Sequence, residues 1–141
     1  MIKNKKKQEF NEFVLISACK GTNYDSIYTQ ELDEALSKLF RNYKTVNGCY
    51  NNETEISFYV PISKEVQKST LLRLGEHFEQ HSILYVDKNR QAYLIECADG
   101  HTTNIGTFKQ VPKAFALQHV AYTYDITNNG YYVTTKTPIK D

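Results

Sequence analysis

Glu55-Ile56-Ser57-Phe58-Tyr59-Val60-Pro61-Ile62 sets Ile56, Phe58 and Val60 on one face and Glu55, Ser57 and Tyr59 on the other. A period of two means a strand with one apolar and one mixed face. Upstream, Asn51-Asn52-Glu53-Thr54 is a run of turn formers, and Lys44 to Tyr50 reads as a short strand. The two strands therefore predict a hairpin. Further back, Leu32, Ala35, Leu36, Leu39, Phe40 and Tyr43 recur at helical spacing. That stripe predicts a helix from about Thr29, with Thr29 as N-cap and Glu31 near the positive helix end. Residues 12–19 are rich in Val, Ile and Phe and read as a buried strand, with a loop from Lys20 to Ser26.

Downstream, Ser63 is placed to cap a second helix reaching about Gln80, with Leu71, Leu74 and Phe78 inward. Gly75 lets that helix approach a sheet closely. Ser82–Val86 and Ala92–Cys97 are strands joined by the turn Asp87-Lys88-Asn89-Arg90, and Asp99-Gly100 is a further turn. Thr103 to Val111 reads as extended or irregular, because Pro112 removes a donor there. Val120–Tyr124 and Tyr131–Thr135 flank Asn128-Asn129-Gly130, a hairpin signal. The order β-α-β-β-α-β with appended strands predicts an α+β fold. Its expected form is a ferredoxin-like antiparallel sheet with two helices on one face and a C-terminal hairpin extension. The other face of such a sheet needs the C-terminal segment, a partner subunit or water.

Composition narrows the function classes. At 141 residues the chain suits one domain, expected over residues 11–136, with a disordered basic tail at 1–10 and a frayed end at 137–141. Lys+Arg number 17 against 16 Asp+Glu, which argues against a dedicated nucleic-acid binder. Lys3, Lys5, Lys6 and Lys7 cluster ahead of the first apolar run and read as a solvated terminus. No apolar run is long enough to span a membrane, and Glu9, Asn11 and Glu12 interrupt any signal-peptide core. Cys19, Cys49 and Cys97 are far apart, with neither a disulfide framework nor zinc spacing. A reducing compartment fits them. Eleven Tyr and seven Phe with no Trp favour surfaces that meet a ligand or a partner.

Few side-chain groupings carry chemistry by themselves. His77 and His81 are spaced i, i+4, but the HExxH order is absent and no third ligand is placed. No phosphate loop and no Gly-x-Ser-x-Gly elbow is present. Cys49 reads as a small buried thiol. Glu55, Ser57 and Tyr59 read first as a solvated strand face.

Four stretches nevertheless occur in a telling order: Phe13-Val14-Leu15-Ile16-Ser17-Ala18, Gly48-Cys49-Tyr50, Phe78-Glu79-Gln80 before Ile83-Leu84-Tyr85-Val86, and Gly106-Thr107-Phe108-Lys109-Gln110-Val111-Pro112-Lys113 closing on Ala116-Leu117-Gln118. Together they resemble the phage-encoded enzymes that degrade S-adenosylmethionine (SAM). The resemblance spans roughly residues 12 to 126. It implies an acidic residue after Gly-Cys-Tyr at the start of the next strand, best matched by Glu55 and second by Glu53. Catalytic expectations fall on Glu55 and Tyr50. Substrate contacts are expected at Glu53, Gln80, Phe108, Gln110, Val111, Lys113 and Gln118. Phe108 would stack on adenine, and Gln110 or Gln118 would pair with its edge.

The implied reaction uses SAM as substrate with no cofactor and no metal. Its products are methylthioadenosine and homoserine lactone by a lyase route, or homoserine directly by a hydrolase route. The implied setting is the cytoplasm of an infected bacterial host, where loss of SAM counters restriction and methylation. A homo-oligomer is expected, a trimer with the site at its interface, and neither nucleic acid nor membrane as partner. Two rival readings remain at this point: a non-catalytic phage protein binding a host protein through its tyrosines, and a nucleic-acid module using the basic arm.

Overall fold

A computed structural model describes residues 11–141, so the basic arm lies outside the described residues. Among the described residues there are eight strands: β1 (Glu12–Ile16), β2 (Lys44–Tyr50), β3 (Glu53–Ile62), β4 (Ser82–Val86), β5 (Gln91–Glu96), β6 (Thr102–Val111), β7 (Ala121–Asp125) and β8 (Gly130–Thr134). Helix α1 (Asp25–Leu39) follows β1, α2 (Glu65–His77) follows β3, and the single turn α3 (Lys113–Ala116) follows β6.

The strands close into one antiparallel barrel in the order β1-β3-β2-β7-β8-β6-β5-β4, with β4 returning to β1. The ferredoxin-like expectation is therefore overturned. Strands β4, β1, β3 and β2 are neighbours in the order that topology requires. An open sheet would leave β4 and β2 as edges, each a row of unpaired N–H and C=O groups. Here β5 covers β4, and β7 covers β2 with Gly48 opposite Thr123. Strands β6 and β8 then join, with Gln110 opposite Tyr132. What reads as a C-terminal hairpin extension is the section that closes the barrel. The second sheet face is the barrel interior, covered by the sheet itself.

Both faces of the first strands are thus apolar. Val14, Ile16, Phe58 and Val60 point outward against Leu32 and Leu36 of α1 and Leu71 of α2. Those three leucines are wholly buried, each contributing about 1.5–3 kcal/mol. Phe13, Val86, Ala92 and Phe108 point inward and pack with Leu15 and Tyr59. Residues 12–16 consequently read as a continuous apolar run rather than an alternation.

Local chemistry sets the ends of the elements. Helix α1 starts at Asp25 rather than Thr29, because the Asp25 carboxylate accepts from the N–H groups of Lys20, Gly21 and Thr22 and so anchors the preceding loop. Helix α2 starts at Glu65, where Gln67 Oε1 accepts from the backbone N–H of Ser63 and Lys64. Gly75 sits where a Cβ would fall 2.6 Å from Cys97 Sγ, so the expected close approach of α2 to the sheet is present. Strand β6 pairs with β5 through its first half and with β8 from Phe108 to Val111, although Pro112 follows its end. A register shift against β5 occurs near Ile105, and Gly106 has φ +97°. Near the C-terminus, Pro138 O accepts from Val120 N, and Lys140 N donates to Gln118 O.

Candidate active site

Small eight-stranded barrels are filled by side chains or hold one small ligand. This interior does some of each. Phe13 stacks on Tyr59 at 4.4 Å and meets Phe108 edge-on at 5.2 Å, and Phe108 stacks on Tyr132 at 5.1 Å. These rings form a waist, and a cavity opens on either side of it. Leu15, Phe108, Thr123 and Tyr132 border both cavities.

The larger cavity, about 760 Å³, opens where β2 ends and β3 begins. The connecting turn is only Asn51-Asn52, with φ of 50° and 70°. Two successive positive φ values belong to the tight hairpin turn whose twist matches the strands, and Asn tolerates that region. Strand β3 accordingly begins at Glu53, which pairs with Tyr50, while Glu55 pairs with Gly48. Glu55, Ser57 and Gly48 line the cavity, and Tyr50 stands at its lip, 64% exposed. Gly48 keeps this wall thin, since a Cβ there would approach Ser57 Oγ to 3.2 Å.

Gln80 faces the same cavity. Its Nε2 donates to the carbonyl oxygens of Cys19 at 2.9 Å and Phe78 at 3.4 Å, which orients the amide. Lys136, from the strap after β8, completes the rim. Cys49 is buried as expected. It lies across the strands from Tyr122, and its interaction with that hydroxyl first, then burial, pushes the Tyr122 hydroxyl up to about 12.

The smaller cavity, about 560 Å³, opens at the other end of the barrel. Lys44 Nζ meets the Asp125 carboxylate at 2.6 Å, and Asp125 is buried. Tyr59 lies beside them, and burial raises its hydroxyl above the ordinary tyrosine value against the opposing charges of Lys44 and Arg90. Arg90, Lys109, Gln110 and Asn128 share this mouth.

The structure thus brings Glu55, Tyr50, Gln80 and Phe108 around one cavity and sends Gln110 to the other. Glu53 stands two pairs beyond Glu55, at the turn. Val111, Lys113 and Gln118 line neither cavity: Val111 ends β6 opposite Tyr131, Lys113 is exposed on α3, and Gln118 is exposed beside the C-terminal strap. The sequence reading passed over Ser17, Lys136, Lys44 and Asp125 as cavity residues. Ser17 and Lys44 were detectable only once the barrel was closed, because their partners lie on distant strands. Among the described residues, no three His, Cys, Asp or Glu side chains converge to hold a metal ion. No helix among them is long and apolar enough to cross a membrane.

The model of the S-adenosylmethionine lyase family matches residues 14–135, most of the chain. No curated protein matches it.

Proposed function

The chain belongs to the S-adenosylmethionine lyase family and degrades SAM, and we propose that it releases methylthioadenosine and homoserine lactone by attack of the substrate's own carboxylate. The carboxylate oxygen bonds to the methionine γ-carbon, the bond from that carbon to sulfur breaks, and its electron pair leaves on sulfur as a neutral thioether. No proton moves and no water enters. The leaving group is activated by its own positive charge, so no general acid is required.

The intramolecular route needs mainly a folded substrate conformer, and good orientation is worth roughly 7–11 kcal/mol. The reaction also consumes a carboxylate and a sulfonium together. A dry, aromatic-floored cavity disfavours the separated ions more than the transition state in which they neutralise.

The carrying observation is the difference in charge between the two mouths. One presents Lys44, Arg90 and Lys109 against a single Asp125, and the other presents Glu55 with Lys136. A sulfonium is repelled by the first and tolerated by the second. We therefore assign SAM to the Glu55 mouth. Glu55 orients the α-ammonium or the ribose there. Held directly on the sulfonium it would stabilise the ground state most, where the charge is greatest. Tyr50 offers its ring to the sulfonium or its hydroxyl to the carboxylate. Phe108, stacked on Tyr132, forms the apolar floor beneath adenine.

Tyr50 and Glu55 are exposed on this chain, so the site is open on one side. A second copy closing over it, in a trimer, is the proposed assembly. The proposed setting is an infected bacterial cell, where loss of SAM starves restriction and methylation systems. The reaction is tested by incubating purified protein with SAM and following proton NMR. Homoserine lactone should appear with methylthioadenosine and ahead of homoserine. Homoserine as first product would instead favour attack by water.

A further inference from the structure

The Glu55 mouth carries a second fixed charge, on Lys136. Apart from His81, these two are the only acidic or basic side chains that line the cavity. Glu55 lies on β3 and Lys136 follows β8, three strands further round the barrel. Among the described residues neither side chain is in an ion pair, with the other or with a third group. The pairs present join Lys20 to Glu79, Lys44 to Asp125 and Lys68 to Glu65.

The backbone under Lys136 is firmly seated. Its N–H donates to Ile105 O at 3.0 Å, and Thr135 N donates to Thr107 O at 3.0 Å. Thr107 N donates in return to Thr135 Oγ1 at 2.8 Å. The stem of Lys136 passes over Gly106, where a Cβ would fall 3.1 Å from Lys136 Cγ. The missing side chain at Gly106 therefore lets the strap lie close on β6 and directs the start of the lysine stem. The strap thus holds an ammonium at the rim with its three donors uncommitted.

A carboxylate and an ammonium held apart in one cavity are complementary to an α-amino acid group, which carries one charge of each sign. SAM ends in such a group. We infer that Lys136 is a specificity-determining residue that takes the α-carboxylate of SAM while Glu55 takes the α-ammonium. The inference rests on the assignment of SAM to this mouth. A carboxylate has two oxygens, so Lys136 holds one while the other attacks the γ-carbon. The charge on that group falls as the lactone forms, so the ion pair is strongest before reaction. Lys136 accordingly acts on KM rather than kcat. The lactone keeps its ammonium but has lost the carboxylate, so Lys136 also lets the product go.

Calorimetric titration of the full-length protein compares two ligands. S-adenosylhomocysteine keeps the amino acid end on an unreactive neutral thioether, and methylthioadenosine lacks that end. Wild type should bind S-adenosylhomocysteine at least about tenfold more tightly. Lys136→Met keeps the stem over Gly106 and removes the charge. It should weaken S-adenosylhomocysteine by about tenfold and leave methylthioadenosine within about twofold of wild type. Lys136→Gln should reproduce this pattern, and Lys136→Arg should recover most of the loss. In turnover, Lys136→Met should raise KM for SAM by about tenfold without lowering kcat. Unchanged S-adenosylhomocysteine affinity in Lys136→Met would overturn the inference and leave SAM at this mouth. An equal loss for both ligands would also overturn it, as would a fall in kcat at unchanged KM. Failure of wild type to bind either ligand would overturn the inference and the assignment of SAM together.

Discussion

Glu55 and Glu53 are two residues apart on one strand, yet only Glu55 borders the cavity. Glu55→Gln should cut SAM turnover by about 100-fold, the order expected when a positioning contact is lost, with an unchanged melting temperature. Glu53→Gln should cost less than about threefold in the same assay. The alternation of Glu55, Ser57 and Tyr59 was legible, and it put these three on one face. The turn length was not, because Asn-Asn followed by Glu-Thr suits either a two- or a four-residue turn. Gln110 was grouped with Phe108 because both belong to the signature segment that carries the resemblance. Two residues along a strand is about 6.6 Å, enough here to pass from the waist into the opposite mouth. Gly75→Ala, which sets a methyl against Cys97 Sγ, should lower stability by about 1–3 kcal/mol in urea titration without altering turnover per folded molecule.

Elements differ in how plainly the sequence announces them. The amphipathic stripe of α1 and the alternation of β3 stand out, because each needs only local periodicity. Strand β6 does not. Its register shift near Ile105 and the left-handed Gly106 break the period of two, and Pro112 at its end argues against pairing. Gly106 is also where the strap after β8 crosses, with Lys136 N only 2.9 Å from the place a Cβ would occupy. Gly106→Ala should therefore destabilise the closing section by about 2–4 kcal/mol, seen as a lower urea midpoint.

The start of α1 carries a pH signature. Hydrogen bonds from the Lys20, Thr22 and Gly21 amides hold Asp25 below its ordinary value of 3.8. A depressed carboxyl stabilises the fold above its unfolded value, and that contribution is lost as pH falls through the folded one. Thermal melts from pH 5 to pH 2 should fall more steeply for wild type than for Asp25→Asn. Parallel curves would contradict this account of the α1 cap.

At the scale of the whole molecule, barrel closure makes the site. An open sheet with Glu55 on one face would leave it solvated, as its local sequence suggests. Closure makes that face the wall of a barrel mouth, with Glu55 still exposed at its rim, and sets Ser17, Gln80 and the strap residue Lys136 around the same space. None of these partners is near Glu55 in sequence, so single-strand periodicity could not reveal them. The open lip at Tyr50 carries a prediction about assembly. Sedimentation at assay concentration should show a trimer, and dilution that yields monomers should reduce specific activity in step. A fully active monomer would contradict the shared site.

The most direct test of the central claim is turnover of SAM in ¹⁸O-labelled water, with mass spectrometry locating the label in the final homoserine. Attack by the substrate carboxylate forms the lactone first, and later hydrolysis opens its acyl carbon. The account predicts label in the carboxyl group and none in the side-chain hydroxyl. Label in the hydroxyl would mean that water attacked the γ-carbon, and would contradict the intramolecular route.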